Sequence, residues 1–103
     1  MDRKELLEAL IKIREDAEQA ARKLQAQYAA EHCPFHEGEK IITPTGRPAY
    51  FGGIKFSNAF SDTHYVYGYL PKKNGEPSMK ETIFMFLFDD NDIYKIKKLK
   101  RNI

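Results

Sequence analysis

Three side chains that could bind a metal lie close together in the chain: His32, Cys33 and His36. Two imidazoles and a thiolate are plausible zinc ligands, but a structural zinc site needs four. The next histidine, His64, is far along the sequence, and Cys33 is the only cysteine. The pattern therefore predicts no metal site, and this segment is interpreted as a joint between two structural elements.

A second group of polar residues, Asp89-Asp90-Asn91-Asp92, superficially resembles a calcium-binding loop. It lacks the central glycine and the bidentate glutamate of an EF-hand, so a turn between strands is expected. The chain has no G-x-S-x-G, P-loop or paired-carboxylate pattern. We therefore predict that the protein is not an enzyme and has no cofactor. Cys33 is the least implausible nucleophile if that prediction is wrong.

Length and composition limit the classes of protein to which this chain could belong. A chain of 103 residues is the size of a single domain, and one cysteine excludes the intrachain disulfides common in small secreted domains. The N-terminal residues are charged throughout, unlike a signal peptide. No apolar run approaches the ~20 residues needed to cross a bilayer. A cytoplasmic location without membrane association is expected.

The net charge of +2 is unevenly distributed. The excess of positive charge is confined to the C-terminal tail, in Lys95, Lys97, Lys98, Lys100 and Arg101. A tail of this kind could attract phosphates or an acidic protein. It could equally be a solvated strand end whose charges prevent pairing with other chains. It is not the domain-wide basic surface typical of nucleic-acid-binding proteins.

Residues 2 to about 30 are predicted to form one amphipathic helix. Asp2 and Glu5 fit an N-cap and its capping-box partner, and Pro34 disfavours helix at the residue before it. Apolar residues recur at alternating spacings of four and three, which is a heptad seam. The seam consists of Leu6, Leu10, Ile13, Ala17, Ala20 and Leu24. Residues 1–33 are thus predicted to be a helical segment for oligomerisation or for packing on the rest of the chain.

The length of this helix favours self-association. It would be roughly 40 Å long, whereas a globule of the remaining residues would measure only about 25–30 Å. The start of the helix should therefore contact a second chain or fray. The alternative is a shorter, bent helix that packs entirely on its own domain.

From Phe35 onward, apolar residues alternate with period two between turn residues, which predicts strands. Five short antiparallel strands are expected, at Lys40–Thr43, Ala49–Phe56, His64–Leu70, Met79–Phe88 and Ile93–Lys97. Gly52-Gly53 predicts a bulge or sharp bend. Asn74-Gly75 predicts a hairpin with a type I′ turn. The expected fold class is α+β, with residues 34–103 forming a small β-barrel and a basic tail.

The segment Phe35-His36-Glu37-Gly38-Glu39-Lys40-Ile41-Ile42 resembles the opening of SH3-like barrels. The Gly46 turn and the Gly52-Gly53 strand continue the resemblance, which covers residues 35 to 97. This part is also similar to small uncharacterised proteins of phages and mobile elements of gut bacteria. The resemblance implies a fold, and at most a phage or mobile-element accessory protein that binds a host factor. The chain has no Trp, so it lacks the proline-ligand signature of eukaryotic SH3 domains.

The third and fourth strands should form a hairpin that is apolar on both faces. With Asn74-Gly75 at its centre, Tyr65 would pair with Phe84, Tyr67 with Thr82, and Tyr69 with Lys80. One face would carry Tyr65, Tyr67, Tyr69, Phe84, Phe86 and Phe88; the other would carry Val66, Leu70, Met79, Ile83, Met85 and Leu87. One face fills the core, and the N-terminal helix, from the same or a second chain, is expected to cover the other. Alternatively, part of it is an open aromatic platform.

These observations predict a non-catalytic protein-interaction module that is oligomeric through the helix. The predicted partner-binding residues are Tyr65, Tyr67 and Tyr69 with the loop residues Asn58, Phe60 and Asp62. The alternative is a nucleic-acid-binding barrel in which the tail lysines contact phosphates and the tyrosine rings stack on bases.

Overall fold

The structure is a computed structural model that describes residues 1 to 99. One helix precedes an antiparallel sheet, so the predicted α+β class is confirmed. The elements are α1 (Arg3–His32), β1 (Lys40–Ile42), β2 (Pro48–Phe56), β3 (His64–Tyr69), β4 (Thr82–Leu87), a 3₁₀ helix (Asp92–Lys95) and β5 (Lys97–Lys98). Lys100 and Arg101, two of the predicted tail cations, lie outside the described residues.

Local sequence signals set both ends of α1. The Asp2 side chain accepts a hydrogen bond from the Glu5 backbone N–H at 2.8 Å, which satisfies one of the unpaired donors of the first turn. Cys33, the residue before Pro34, has an extended backbone and ends the helix. No residue of α1 is fully buried, so the tertiary packing of the helix is slight along its whole length.

The five strands form one sheet in the order β4-β3-β2-β1-β5, with every neighbouring pair antiparallel. β4 and β5 are the two edges of this sheet and do not pair with each other in the described part of the chain. The sheet is therefore open, and the closed barrel expected from the sequence is not observed.

The end of the sheet differs from the prediction. A strand was expected at Ile93–Lys97, but Asp92–Lys95 form a 3₁₀ helix and only Lys97–Lys98 pair with β1. The Asp92 carboxylate causes this turn by accepting the backbone N–H groups of Phe88 and Asp89, at 2.9 and 3.1 Å. The bond from Phe88 is the main reason why the pKa of Asp92 lies below its usual value. The acidic segment is thus a turn, as predicted, and it leads directly into the short 3₁₀ helix.

The core lies on one face of the sheet. It contains residues from β1 to β4, together with Phe35 before the sheet and two isoleucines that follow β4. Its buried apolar members are Phe35, Ile41, Ala49, Phe51, Val66, Leu87, Ile93 and Ile96. We call the sheet face that carries Val66 the inner face and the opposite one the outer face.

The predicted register of the β3–β4 hairpin is wrong. Tyr65 pairs with Phe86 and Tyr67 with Ile83, whereas Tyr69 has no partner on β4. The ladder has a bulge at Phe84, so Ile83 lies on the outer face and Phe84 packs against the core. Met79, which was assigned to β4, precedes the strand and is exposed.

The connection between β3 and β4 explains this error. Pro71 and Pro77 form an isolated bridge around a separate small turn, and the chain then runs through Ser78–Glu81 before the ladder begins. Gly75 has φ of 86°, but Asn74 does not have positive φ, so the turn is not the predicted type I′. The Gly75 N–H donates to the Lys72 carbonyl, as in a type I turn followed by a glycine bulge.

The bulge predicted at Gly52-Gly53 is confirmed by the β2–β3 register shift between Phe51 and Gly53. The Tyr67 ring lies across both glycines. A Cβ at Gly52 would stand only 2.6 Å from that ring. Two adjacent glycines therefore allow the ring to lie flat against the outer face of the sheet.

Candidate interaction surfaces

The C-terminal third of α1 attaches to the sheet through polar contacts with the loop between β2 and β3. Gln25 Nε2 donates to the carbonyl oxygens of Asn58 and Ser61, at 2.7 and 3.0 Å. About two turns of helix follow Gln25 before Cys33, which packs against the core. The sequence pattern did not reveal this attachment, because its anchor is a glutamine and not an apolar residue.

An aromatic cluster completes the attachment. The Tyr28 ring lies 6.3 Å from the Phe56 ring, 5.4 Å from the His64 ring and 4.4 Å from the His32 ring. The Tyr28 hydroxyl donates a hydrogen bond to the Asp90 carboxylate, which ties the helix to the turn after β4. Tyr28 therefore joins α1, two strands and a turn.

A cleft of about 380 Å³ opens beside this cluster. Aromatic rings form its walls, and the carboxylates of Asp62, Asp89 and Asp90 lie along its lining. His64 Nδ1 lies 2.6 Å from the backbone oxygen of Asp62, so the ring is held by its own loop. The cleft has the composition of a shallow site for a cationic group, but two of the three carboxylates, those of Asp89 and Asp90, already accept local hydrogen bonds.

Tyr28 should be distinguishable by the high pH at which its hydroxyl ionises. The hydrogen bond to Asp90 is the main reason why the pKa of Tyr28 rises from 10.0 to about 12. Because folding favours the protonated phenol, this contact stabilises the attachment fully below pH 10 and loses that effect as the pH rises toward the folded pKa. Titration of tyrosinate absorbance should show a last phase that disappears in Tyr28→Phe. The variant Tyr94→Phe, which removes a tyrosine outside this contact, should keep that phase; its loss there would refute the assignment.

The N-terminal half of α1 has no cover within the described chain. Leu6, Leu7, Leu10, Ile11 and Ile13 are all exposed, and Leu10 retains 54% of its accessible surface. The molecule measures 69 × 30 × 19 Å, and the long dimension reflects the projecting helix. Leu6, Leu10, Ile13, Ala17, Ala20 and Leu24 of the predicted seam are all exposed. No helix within residues 1 to 99 combines the length and apolarity required to cross a membrane.

The exposed apolar residues continue the face that packs on the sheet. Eighteen residues make about five whole turns, so residues that far apart lie on the same side of a helix. Leu7, Leu10 and Ile11 thus align with Gln25, Tyr28 and Ala29, which are partly buried. One side of α1 is apolar or docked along its whole length, and only its C-terminal third is covered.

The outer face of the sheet carries the predicted tyrosines. Tyr65, Tyr67 and Tyr69 are half-buried, and beside them Ile83, Phe86 and Phe88 retain 53%, 42% and 86% of their accessible surface. The Tyr65 and Phe86 rings lie 5.4 Å apart. The helix of the same chain packs on the other side of the sheet, against Phe56 and His64. The expectation that it covers the outer face in cis is therefore wrong.

One ion pair lies on this face. Lys55 Nζ stands 4.6 Å from the centre of the Tyr67 ring and 2.6 Å from Glu81 Oε1. The hydrogen bond to Glu81 is the main reason why the pKa of Lys55 is raised. Such exposed pairs contribute little to stability, but this one fixes a cation over an aromatic ring.

The three predicted loop residues do not join the tyrosines in one surface. The Asn58 carbonyl is occupied by Gln25, and Phe60 is exposed at the tip of the loop. Asp62 lines the cleft with His64, which lies on the inner face. Tyr65 follows His64 directly and points to the opposite face, because side chains alternate along a strand.

The described part of the basic tail is partly neutralised. Lys95 Nζ lies 3.3 Å from Asp92, and Lys98 Nζ lies 4.0 Å from Glu39. Lys97 is exposed and pairs through its backbone with Ile42. Lys97 and Lys98 form the edge strand β5 and Lys95 precedes it, which is the arrangement expected if the charges deter strand pairing.

Within residues 1 to 99, no three His, Cys, Asp or Glu side chains are grouped as metal ligands would be. The Cys33 thiol lies 3.3 Å from the Phe35 carbonyl oxygen, to which it donates, and burial raises its pKa. A thiol with a raised pKa is a poor nucleophile at neutral pH. The His32 ring contacts the Tyr28 ring in a tilted arrangement, and His36 is exposed.

Comparison of the chain with models of known protein families, with curated proteins and with solved structures finds no match. Its function is therefore inferred from its own surfaces.

Proposed function

We propose that this protein is a non-catalytic protein-interaction module that self-associates through the N-terminal half of α1. The observation that carries the proposal is the row of large aliphatic side chains that α1 exposes, from Leu6 to Ile13. Exposed contiguous apolar surface of this kind marks interaction sites in small proteins. The C-terminal third of α1, whose only large aliphatic residue is Leu24, is used for attachment to the sheet, so the two parts of the helix have different roles.

A second copy of α1 is the partner that best fits this surface. Its seam alternates spacings of four and three, the repeat with which two helices pack side by side over several turns. A globular partner would not require that repeat. The second half of the seam contains the small residues Ala17 and Ala20, which allow two helix backbones to approach closely there.

The finer description of the sheet is also part of this proposal. We infer that it is a strongly curled, partly open relative of the SH3-like barrel. This is supported by the core, in which Leu87 of β4 and Ile96, beside β5, belong to one cluster although their strands lie at opposite edges of the sheet. A flat sheet of this order would keep them far apart.

The oligomeric state tests the proposed function. We expect light scattering and sedimentation of the full chain to show a dimer or a larger assembly whose population rises with concentration. Circular dichroism in the same samples reports whether the helix is intact. A strict monomer at the highest concentration, with the helix intact, would contradict self-association.

Nucleic-acid binding has less support as an alternative. The exposed Lys97 and the outer-face tyrosines favour it, but two of the described tail lysines are paired with acids. Binding through lysines should weaken steeply as salt is added. Titration with single-stranded and duplex DNA and RNA at two salt concentrations tests this alternative, and absence of binding at low salt would exclude it.

A further inference from the structure

The two edges of the sheet are built very differently. β5 is two residues long and consists of Lys97 and Lys98, so it is short and charged in the way that natural edges avoid pairing. β4 has six residues, Thr82–Leu87, and none of them is charged. Within residues 1 to 99, no hydrogen bond except those of the β3 ladder reaches the backbone of β4. This edge is open to another strand.

The outer face beside that edge is equally unprotected. Ile83, Phe86 and Phe88 are the most exposed apolar side chains of the outer face, and they all lie on or directly after β4. An apolar patch that is continuous with an unpaired strand favours an occupant that supplies both a backbone partner and apolar side chains. A strand from another sheet satisfies both requirements.

We propose that β4 pairs antiparallel with β4 of a second copy, so that two sheets join across a two-fold axis. This surface is separate from the N-terminal half of α1. The reason for choosing a second copy over an unrelated strand is the side-chain pattern of β4, which is complementary to itself in one register.

That register pairs Ile83 with Phe86 of the second copy. Residues directly opposite each other in an antiparallel pair lie on the same face. The bulge at Phe84 places Ile83 and Phe86 both on the outer face although they are three residues apart. The same register pairs Thr82 with Leu87 and Phe84 with Met85, all on the inner face. A shift of one or two residues in either direction places an outward-facing residue opposite an inward-facing one.

Charge complementarity supports the same register. It sets Lys80, before β4, opposite Asp89 of the second copy, and the two-fold axis repeats this pair. Both side chains are exposed, and within residues 1 to 99 Lys80 is in no ion pair. Opposite charges directly across a strand pair are favourable, whereas like charges are not. The bulge, the apolar residues and the flanking charges therefore agree on one alignment.

Disulfide cross-linking tests the alignment directly. The background is Cys33→Ser, to remove the native thiol, with Leu10→Lys, to remove association through the helix. Ile83→Cys and Phe86→Cys variants are prepared separately and oxidised either alone or as a mixture. In the proposed register, position 83 faces position 86 of the second copy, whereas like positions are about 10 Å apart along the strand. We expect the mixture to form covalent dimers at least tenfold faster than either variant alone.

The outcomes separate this proposal from the proposed function. Fast cross-linking of the mixture supports strand pairing whether or not the helices associate. Equal slow rates in all three samples, with monomers by light scattering, would overturn it. Fast cross-linking of one variant with itself would also overturn it, because that result requires a different register.

A charge exchange provides a second test that needs no cysteine. In the Leu10→Lys background, Lys80→Asp and Asp89→Lys should each weaken the dimer severalfold, because each places like charges opposite each other. The double variant should recover the original affinity. Lys73→Asp, in the turn before β4, changes the net charge as Lys80→Asp does but lies outside the paired segment, so it should have little effect. Failure of the double variant to recover, with its sheet intact by circular dichroism, would overturn the register.

Discussion

Leu10→Lys is expected to remove most of the association that occurs through α1 and to leave the β4 edge as the remaining route to a dimer. Leu10 lies at the centre of the exposed apolar row, and half of its surface remains available for burial by a partner. Burial of that surface contributes about 1 kcal/mol per leucine, and a symmetric dimer contains two. The dissociation constant of the α1 interface should therefore rise roughly 30-fold or more, with the buried lysine charge adding to the effect. Sedimentation equilibrium of the two proteins measures this change.

A matched variant controls for the added charge. Gln19→Lys places the same side chain on the exposed side of α1 that faces away from the apolar row. It should leave the dissociation constant within about twofold of the original, since surface substitutions away from contacts have small effects. Neither variant should alter thermal unfolding of the monomer, because both residues are exposed. If the original protein, Leu10→Lys and Gln19→Lys had equal dissociation constants, the association would not occur through α1. The β4 edge would then be the next candidate interface.

The helix could be predicted almost to the residue because its signals are local. Asp2 caps its start, Pro34 determines its end, and no glycine or proline interrupts it. The exposure of its first half also followed from simple geometry, since the helix is longer than the sheet that it contacts. The side of the helix that docks could not be predicted from an apolar pattern. The anchoring hydrogen bonds come from Gln25, and several of the residues beside it are alanines.

The pairing of β3 with β4 could not be predicted, because it depends on interactions between distant residues. Alternation of apolar residues correctly gave two strands that are apolar on both faces. It contained no sign that Phe84 is in a bulge, and a bulge reverses the faces of every residue on one side of it. The sequence-based register assumed a regular ladder from the Asn74-Gly75 turn, whereas the Pro71–Pro77 bridge separates that turn from the main ladder.

The set of side chains on the outer face was predicted in part for the same reason. The tyrosines of β3 were correctly grouped on one face, since alternation alone decides which residues of a single strand face together. Their neighbours on β4 were not, because Ile83 and Phe84 exchange faces at the bulge. Loop residues such as Asp62 could not be placed at all, since α1 contacts their loop through the Gln25 side chain, which donates to Asn58 and Ser61.

Gly68→Ala is expected to cause a large loss of stability although it adds only one methyl group. Gly68 is a buried β3 residue, and a Cβ there would overlap the Tyr50 carbonyl oxygen and stand 2.6 Å from the Phe84 ring. The obstacle at Tyr50 is backbone in the neighbouring strand, so the strands themselves would have to separate. We expect a loss of about 3 kcal/mol or more in unfolding free energy, the upper end for overpacking. The midpoint temperature of thermal unfolding should then fall by roughly 12–24 °C.

Gly52→Ala is the informative comparison, because its obstacle can move. A Cβ at Gly52 would meet first the Tyr67 ring, a half-buried side chain on the outer face, before any backbone atom. Gly52→Ala should therefore be less destabilising than Gly68→Ala. In the Tyr67→Ala background its cost should shrink, whereas the cost of Gly68→Ala should not shrink in a Phe84→Ala background. Double-mutant cycles by chemical denaturation measure both couplings. If Phe84→Ala rescued Gly68→Ala fully, the close approach of β2 and β3 at Tyr50 would not be what requires a glycine at this position.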